Sequence, residues 1–125
     1  MSLSSKPVGT DIVEIQRIKQ AIRSWQGSFL SRIYTEAELE SCQNRASSLA
    51  ARFAAKEAVM KALGTGANGI SWRDIEILSN SQGAPLVQLH HQAESKAKEK
   101  GIAKFSVTMS HCKEYAVAFV IGDAI

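Results

Sequence analysis

The sequence has 125 residues, of which 45% are hydrophobic and 22% are charged, and its formal net charge is +3. This length suits one domain with a single hydrophobic core, and the composition excludes disordered, collagen-like and low-complexity chains. The mild positive charge favours anionic partners such as phosphates, acidic proteins or nucleic acids, without choosing among them.

The cysteines and the start of the chain indicate the compartment. Cys42 and Cys112 lie far apart without a CxxC spacing, and no apolar targeting segment precedes the first strand pattern. We therefore expect a reduced, cytoplasmic protein with no membrane partner. The polar residues 1–7 are expected to form a flexible leader, and residues 8–125 a single domain.

The first third of the chain predicts a strand followed by two helices. VGTDIVEI, residues 8–15, alternates β-branched and polar side chains as a strand does. The helix that follows has a predicted buried face of Ile15, Ile18, Ile22 and Trp25. A second helix is predicted to begin at Thr35, where TEAE has the form of a capping box completed by Glu38.

The rest of the chain predicts a long helix, a hairpin, a polar helix and two more strands. The long helix ends at Gly64, and DIEIL and PLVQL are strands joined by the turn NSQGAP. The polar helix covers residues 91–100 and ends at Gly101. KFSVTMS and YAVAFVIG form strands around HCKE. The predicted fold class is therefore α+β, an antiparallel sheet packed with helices.

The long helix carries charges on an otherwise apolar segment, RFAAKEAVMKALGTG. Arg52 and Lys56 form a like-charge pair four residues apart, which is mildly unfavourable unless an anion compensates it. This pattern indicates either a bound phosphate or only a solvated helix edge, and Lys56 could equally be a salt-bridge partner elsewhere. Glu57 and Lys61 have favourable spacing for an ion pair, which a solvated helix face explains as well.

The helix runs into the loop Gly64, Thr65 and Gly66. Glycines let a ligand approach the backbone closely, although Gly64 also serves as an ordinary left-handed helix stop. The loop is not a P-loop, because the glycines of a P-loop precede the helix.

Two further residues are candidates for a site. Asp11 interrupts an apolar strand, and a buried carboxylate is costly unless it is paired or binds a cation; a solvated strand face or a helix cap explains it equally. With Glu57 it would supply the two carboxylates that commonly hold Mg²⁺ on phosphates. His111 could act as a metal ligand, as an acid or base, or as a hydrogen-bond donor to a phosphate, or it could be a simple turn residue. The lack of a second histidine at ligand spacing argues against zinc.

Taken in order, GTDIVEIQRI, RIYTEAELESC, RFAAKEAVMKALGTG, DIEI with GAP, and SVTMSHCKEYAVAFV resemble the holo-[acyl-carrier-protein] synthase family of 4′-phosphopantetheinyl transferases. The resemblance covers about residues 8–121. There are two minor departures. Thr10 stands where the family often has an aliphatic residue, and MSHC replaces the commoner Ser/Thr-His-Thr type of run.

The resemblance implies an activity and its catalytic residues. The family transfers 4′-phosphopantetheine from coenzyme A to a serine of apo acyl carrier protein, releases adenosine 3′,5′-bisphosphate, and serves fatty acid biosynthesis. Its metal ligands match Asp11 and Glu57, which would hold Mg²⁺ on the pyrophosphate of coenzyme A. Its catalytic lysine matches Lys61. Either Glu57 or a metal-bound water would take the serine proton.

The resemblance also implies how coenzyme A is bound. Arg52 and His111 match contacts to the 3′-phosphate and adenosine. The loop of Gly64, Thr65 and Gly66 matches the segment against which the nucleotide lies.

Two further implications concern protein partners. Arg17 occupies the family's basic position for docking the acidic carrier protein, and Lys19 and Arg23 extend that basic face. Members of this length are typically homotrimers with the active site between subunits. Asp11 and Glu57 of one chain would then meet His111 or Arg52 of a neighbour.

Three other functional classes are alternatives to this interpretation. A non-catalytic nucleotide or coenzyme A binding protein is the main alternative. A nucleic-acid binder is disfavoured because only 6% of the residues are aromatic and most of them lie at core-facing positions. A catalytically idle trimeric scaffold would be expected to have lost Asp11, Glu57 or Lys61, and all three are present.

Overall fold

The computed structural model describes residues 6–66 and 69–125. Most of the predicted leader, residues 1–5, lies outside this description. Lys6 and Pro7 are held against the last strand. The Pro7 carbonyl accepts a hydrogen bond from the Gly122 amide at 2.8 Å, and Lys6 Nζ lies 3.3 Å from Asp123 Oδ1.

The described elements follow the predicted order. They are β1 (Val8–Glu14), α1 (Ile15–Ile33), α2 (Glu36–Cys42), α3 (Ala46–Leu63), a short 3₁₀ turn (Trp72–Asp74), β2 (Ile75–Ser79), β3 (Pro85–Leu89), α4 (His91–Glu99), β4 (Ile102–His111) and β5 (Tyr115–Ala124). β5 lies between β1 and β4 in an antiparallel sheet, and β2 pairs with β3 in a separate hairpin. The α+β prediction is confirmed. None of the helices in the described ranges is long and apolar enough to cross a bilayer.

Helix α3 packs against the sheet more closely than ordinary side chains would allow. Its buried residues include five alanines, Ala50, Ala51, Ala54, Ala55 and Ala58. A Cβ placed on Gly9 of β1 would lie 1.9 Å from the Ala58 carbonyl oxygen. Only glycine fits there, so the main chains of β1 and α3 are in contact. This contact sets which residues of β1 face which residues of α3.

The helix ends are formed as the sequence predicts. Thr35 caps α2: its hydroxyl accepts a hydrogen bond from the Glu38 amide at 3.2 Å, and its own amide donates to Glu38 Oε1 at 2.9 Å. Helix α3 ends at Gly64, which has a φ of +75°. Both ends therefore satisfy backbone groups that a helix leaves unpaired.

A buried ion pair explains half of the charge pattern in α3. Lys56 Nζ lies 2.8 Å from Glu38 Oε1, and both side chains are fully buried. Lys56 also donates to the carbonyl oxygens of Trp72 and Ile75, and Glu38 Oε2 accepts from the Ile77 amide. Burial lowers the pKa of Lys56, and Glu38 opposes that shift. The alternative of a salt bridge to a distant carboxylate is thus confirmed for Lys56.

One prediction about α1 is wrong. Ile15 and Ile18 are buried as expected, but Trp25 is 67% exposed. Helical periodicity gives the direction of a side chain, not whether a neighbouring element fills the space in front of it. Trp25 borders an open apolar cavity, which is described below.

Candidate active site

Asp11, the first candidate residue, lies on the inner face of β1. It is paired across the sheet with the buried Ala118, so its side chain points towards α3 and is only 13% exposed. Lys61 of α3 reaches back to β1, with its Nζ 3.0 Å from Asp11 Oδ1 and 2.9 Å from the Thr10 carbonyl oxygen. The predicted Glu57–Lys61 ion pair is therefore replaced by an Asp11–Lys61 pair.

Glu57 lies one helical turn before Lys61 and borders the same cavity as Asp11. Burial raises the pKa of Glu57, the nearby Asp11 carboxylate raises it further, and Lys61 and Arg17 lower it. Two carboxylates that repel each other in a partly buried site are stabilised by a cation placed between them. The structure thus brings Asp11 and Glu57 together at a cavity of about 380 Å³, with Lys61 paired to Asp11 beside it.

The donor set of this cavity fits Mg²⁺ rather than zinc. Over the described residues, no three His, Cys, Asp or Glu side chains converge on a point where a metal would bind. Asp11 and Glu57 offer only carboxylate oxygens, without the nitrogen or sulfur ligands that zinc prefers. Mg²⁺ keeps much of its water and is usually held by one or two carboxylates together with substrate phosphates. These two residues would therefore hold Mg²⁺ only when a phosphate ligand completes the site.

The cations of α1 do not share one face. Arg17 borders the cavity of Asp11 and Glu57. Lys19 borders a groove with Lys113 on another side. Arg23 lies about 120° around the helix from Arg17 and about 40° from Lys19. Arg17 is thus the basic residue of α1 that reaches the site, and Arg23 belongs to a separate surface.

Arg52 lies away from the carboxylates, at the end of the β2–β3 hairpin. It is only 7% exposed. Its guanidinium donates to the Ile77 carbonyl oxygen at 3.2 Å and to the hydroxyls of Ser41 and Ser79, each at 3.3 Å. Arg52 therefore ties α2, α3 and β2 together.

His111 and the glycine loop lie in different parts of the chain. His111 ends β4 opposite Ala116, two residues along the sheet from Ala118, the partner of Asp11. The intervening β5 separates the strands of His111 and Asp11 by about 10 Å. Gly64 lies three residues after Lys61, whereas Arg52 lies about 18 Å before Gly64 along the helix. Within one chain, the glycine loop thus lies close to Lys61, whereas His111 and Arg52 do not.

The aromatic lining beside the site was not predicted from the sequence. Phe29 and Phe53 border the Asp11–Glu57 cavity and also a neighbouring apolar cavity of about 470 Å³. Trp25 and Trp72 line that second cavity, and the rings of Phe53 and Trp72 stack with centroids 4.8 Å apart. Phe53 is the only aromatic residue of α3. This was the one feature of the sequence that indicated an aromatic surface here.

Comparison with known proteins places the chain in one class of enzymes. The profile of the 4′-phosphopantetheinyl transferase superfamily matches residues 7–120, and the chain belongs to this superfamily.

The relatives narrow the class to one group of transferases. The chain is 54% identical to a holo-[acyl-carrier-protein] synthase of Dehalococcoides mccartyi, covering 92% of this chain and 96% of the relative. It is 48% identical to the synthase of Herpetosiphon aurantiacus, covering 91% and 95%. The crystal structure of the Helicobacter pylori synthase in complex with coenzyme A has a TM-score of 0.85 and 34% identity, covering 93% of this chain and 99% of that one. The protein is thus a transferase of the holo-[acyl-carrier-protein] synthase family.

Proposed function

We propose that this protein transfers 4′-phosphopantetheine from coenzyme A to a serine of apo acyl carrier protein, in a Mg²⁺-dependent reaction that serves fatty acid biosynthesis. The observation that carries the proposal is the pair of carboxylates Asp11 and Glu57 at one cavity, with Lys61 paired to Asp11, in a chain of this superfamily. The relatives carry the corresponding name, and the Helicobacter pylori enzyme is in complex with coenzyme A.

The cluster suits the chemistry of phosphoryl transfer. The serine oxygen bonds to the phosphorus that carries pantetheine, and the bond from that phosphorus to the bridging oxygen breaks, releasing adenosine 3′,5′-bisphosphate. The Lys61 ammonium stabilises the negative charge that develops on the leaving phosphate. Glu57 is a carboxylate with a raised pKa at the same cavity, which suits it to accept the serine proton. Bound Mg²⁺, held by Asp11 and Glu57, would neutralise pyrophosphate charge.

The direct test is the intact mass of apo acyl carrier protein after incubation with this protein, coenzyme A and Mg²⁺, beside a sample containing EDTA. We expect a gain of one phosphopantetheine group that EDTA prevents. If a folded sample binds coenzyme A but modifies none of several carrier proteins, the non-catalytic coenzyme A binding alternative replaces the proposal.

Arg17 is proposed to dock the acidic carrier protein, because it combines positive charge with a position at the mouth of the site. Arg17→Glu is expected to raise the KM for carrier protein about tenfold and to change the KM for coenzyme A little. Reversing the charge weakens the electrostatic attraction that guides the acidic carrier protein and the contacts at the edge of the interface. Arg23→Glu, on another side of α1, serves as the comparison and should have a smaller effect. Steady-state kinetics with each substrate varied measures this, and equal effects of Arg17→Glu on both substrates would contradict a docking role.

We further propose that the protein is a homotrimer, and that the outer face of its three-stranded sheet forms the interface. The side chains on this face of β1 and β5 are apolar and exposed: Val8 51%, Ile12 63%, Tyr115 44%, Val117 38% and Phe119 44%. Cross-strand pairing makes them one contiguous patch, with Ile12 opposite Val117 and Thr10 opposite Phe119. A patch of this kind is typical of protein interfaces. A neighbouring chain would also supply His111 or Arg52, which one chain keeps apart from the glycine loop.

Phe119→Glu is expected to convert the trimer to monomers, because burying three unpaired carboxylates at the interface is costly. Light scattering coupled to size-exclusion chromatography measures the mass. Leu86→Glu is the matched control, since Leu86 is also an exposed apolar side chain, 50% accessible, but lies on β3 outside the patch. A Phe119→Glu variant that remains trimeric would place the interface elsewhere.

We also propose that the protein is cytoplasmic and that it consists of a single domain. Cys42 is a buried free thiol and Cys112 an exposed one. This agrees with a reducing cytoplasm. We treat residues 8–125 as one domain.

A further inference from the structure

Lys100, which follows α4, holds its ammonium group close to Gly64, the glycine that ends α3. A Cβ placed on Gly64 would lie 3.4 Å from Lys100 Nζ. Gly64 has no side chain, so nothing separates the lysine from the backbone of this loop. This contact was not predictable from local sequence, because Gly64 and Lys100 lie in different elements and only the packing of α4 brings them together.

The base of the Lys100 side chain is well fixed. Ala93 and Ala97 bury one side of α4 in the core. The Lys100 amide donates to the carbonyl oxygens of Lys96 and Ala97, and the carbonyl of Gly101 accepts a hydrogen bond from the Ile125 amide at 3.0 Å. Lys100 is thus presented to the loop from a rigid position.

The other two lysines of α4 are paired, but Lys100 is not. Lys96 lies 3.4 Å from Glu99, and Lys98 lies 4.0 Å from Glu94. Within residues 6–66 and 69–125, no carboxylate lies within 4.0 Å of Lys100 Nζ. The residues outside that description contain no Asp or Glu. The positive charge of Lys100 therefore has no side-chain counter-charge from this chain.

A structural role is the simplest explanation of this position. The carboxyl end of α3 carries partial negative charge, and a lysine near it is mildly stabilising. Lys61, in the last turn of α3, already lies there but is paired with Asp11. A lysine that only stabilises the helix end would leave the affinity for nucleotides unchanged, so the two roles are distinguishable.

We propose that Lys100 binds the 3′-phosphate of coenzyme A above the loop of residues 64–66. The inference rests on the proposed function for the identity of the nucleotide. Asp11, Glu57 and Lys61 are assigned to the pyrophosphate, so the 3′-phosphate is the other anionic group of the ligand, and Lys100 would share it with Arg52 or His111 of a neighbouring chain. A lysine suits this group as a mobile point charge. Lys100 lies at the glycine loop of its own chain, whereas Arg52 and His111 do not.

Titration calorimetry without carrier protein tests this, because no transfer takes place. Coenzyme A and 3′-dephospho-coenzyme A are titrated, with Mg²⁺, into the full chain and its Lys100→Ala, Lys100→Arg and Lys98→Ala variants. Lys100→Ala is expected to weaken coenzyme A binding about tenfold, as the loss of one charge-assisted hydrogen bond would, and to leave dephospho-coenzyme A binding nearly unchanged. Lys100→Arg should retain most of the affinity. Lys98→Ala removes the same charge from α4 and should change neither ligand.

Two results would overturn the inference. One is an unchanged affinity of Lys100→Ala for coenzyme A, with or without a lower melting temperature. The other is an equal loss of affinity for both ligands, which would mean that Lys100 contacts the pyrophosphate or acts only through its general electrostatic field. The proposed function fails separately: a wild-type protein that prefers coenzyme A over its dephospho form, yet modifies no carrier protein, would leave the assignment of Lys100 standing and overturn the transferase.

Discussion

Glu57→Gln is expected to reduce phosphopantetheine transfer at least about 100-fold while leaving the protein folded. Glutamine keeps the size of the side chain but removes a carboxylate that we assign both to Mg²⁺ and to the serine proton. Losses of this size are typical when one group that stabilises transition-state charge is removed. The measurement is the initial rate of holo acyl carrier protein formation by intact mass at saturating substrates. Asp11→Asn is expected to behave in the same way.

The stability of Glu57→Gln gives an independent check. A pKa raised in the folded state means that the charged carboxylate is disfavoured there, so the ionised Glu57 costs stability at pH values above that pKa. The variant should therefore melt at the same temperature as the wild type or slightly higher in metal-free buffer. Glu94→Gln, an exposed carboxylate on α4, is the control for activity and should retain full turnover. Wild-type turnover in Glu57→Gln and Asp11→Asn would remove the metal assignment.

Lys56→Ala is expected to lower the free energy of unfolding by about 3–5 kcal/mol. The substitution leaves the carboxylate of Glu38 buried without its cation, and breaking a buried pair costs this much. It also leaves the carbonyl oxygens of Trp72 and Ile75 without the lysine as donor. Urea unfolding followed by tryptophan fluorescence measures the change, repeated at several protein concentrations to separate unfolding from dissociation.

Lys98→Ala is the matched control for Lys56→Ala. It also removes a lysine from an ion pair, but its side chain is 72% exposed, and exposed pairs contribute about 0–1 kcal/mol. The double variant Lys56→Met with Glu38→Gln should lose less than the two single variants added together, because it removes both charges of a coupled pair. Similar losses for Lys56→Ala and Lys98→Ala would show that the buried pair does not stabilise the fold.

Local patterns predicted most of the fold. Strand alternation, the Thr35 capping box and the Gly64 stop each depend on interactions within a few residues, so the sequence specifies them directly. The exposure of Trp25 was not predictable, because it depends on a space that other elements leave open. The resemblance predicted the cluster of Asp11 and Glu57; local pattern alone left each of them with ordinary structural explanations.

Choices between partners far apart in sequence were not predictable. Lys61 had a suitable carboxylate four residues away in Glu57, yet it pairs with Asp11 across 50 positions of the chain. Lys56 likewise pairs with Glu38 in another helix. Such choices depend on the register between elements, which no local pattern contains. Arg52, which by the resemblance binds coenzyme A, holds three groups of its own chain in the structure; its contact with the ligand remains a prediction.

The contact between Gly9 and Ala58 has a consequence for engineering a more robust enzyme. The spacing of Asp11 and Glu57 depends on two main chains that touch, rather than on the volumes of the side chains around them. Repacking the sheet-facing core for heat resistance should therefore leave the carboxylates of Asp11 and Glu57 at their present separation. Any side chain at position 9 would force the strand away from the helix. Thermal tolerance and catalytic geometry are separable in this protein as long as that one position stays glycine.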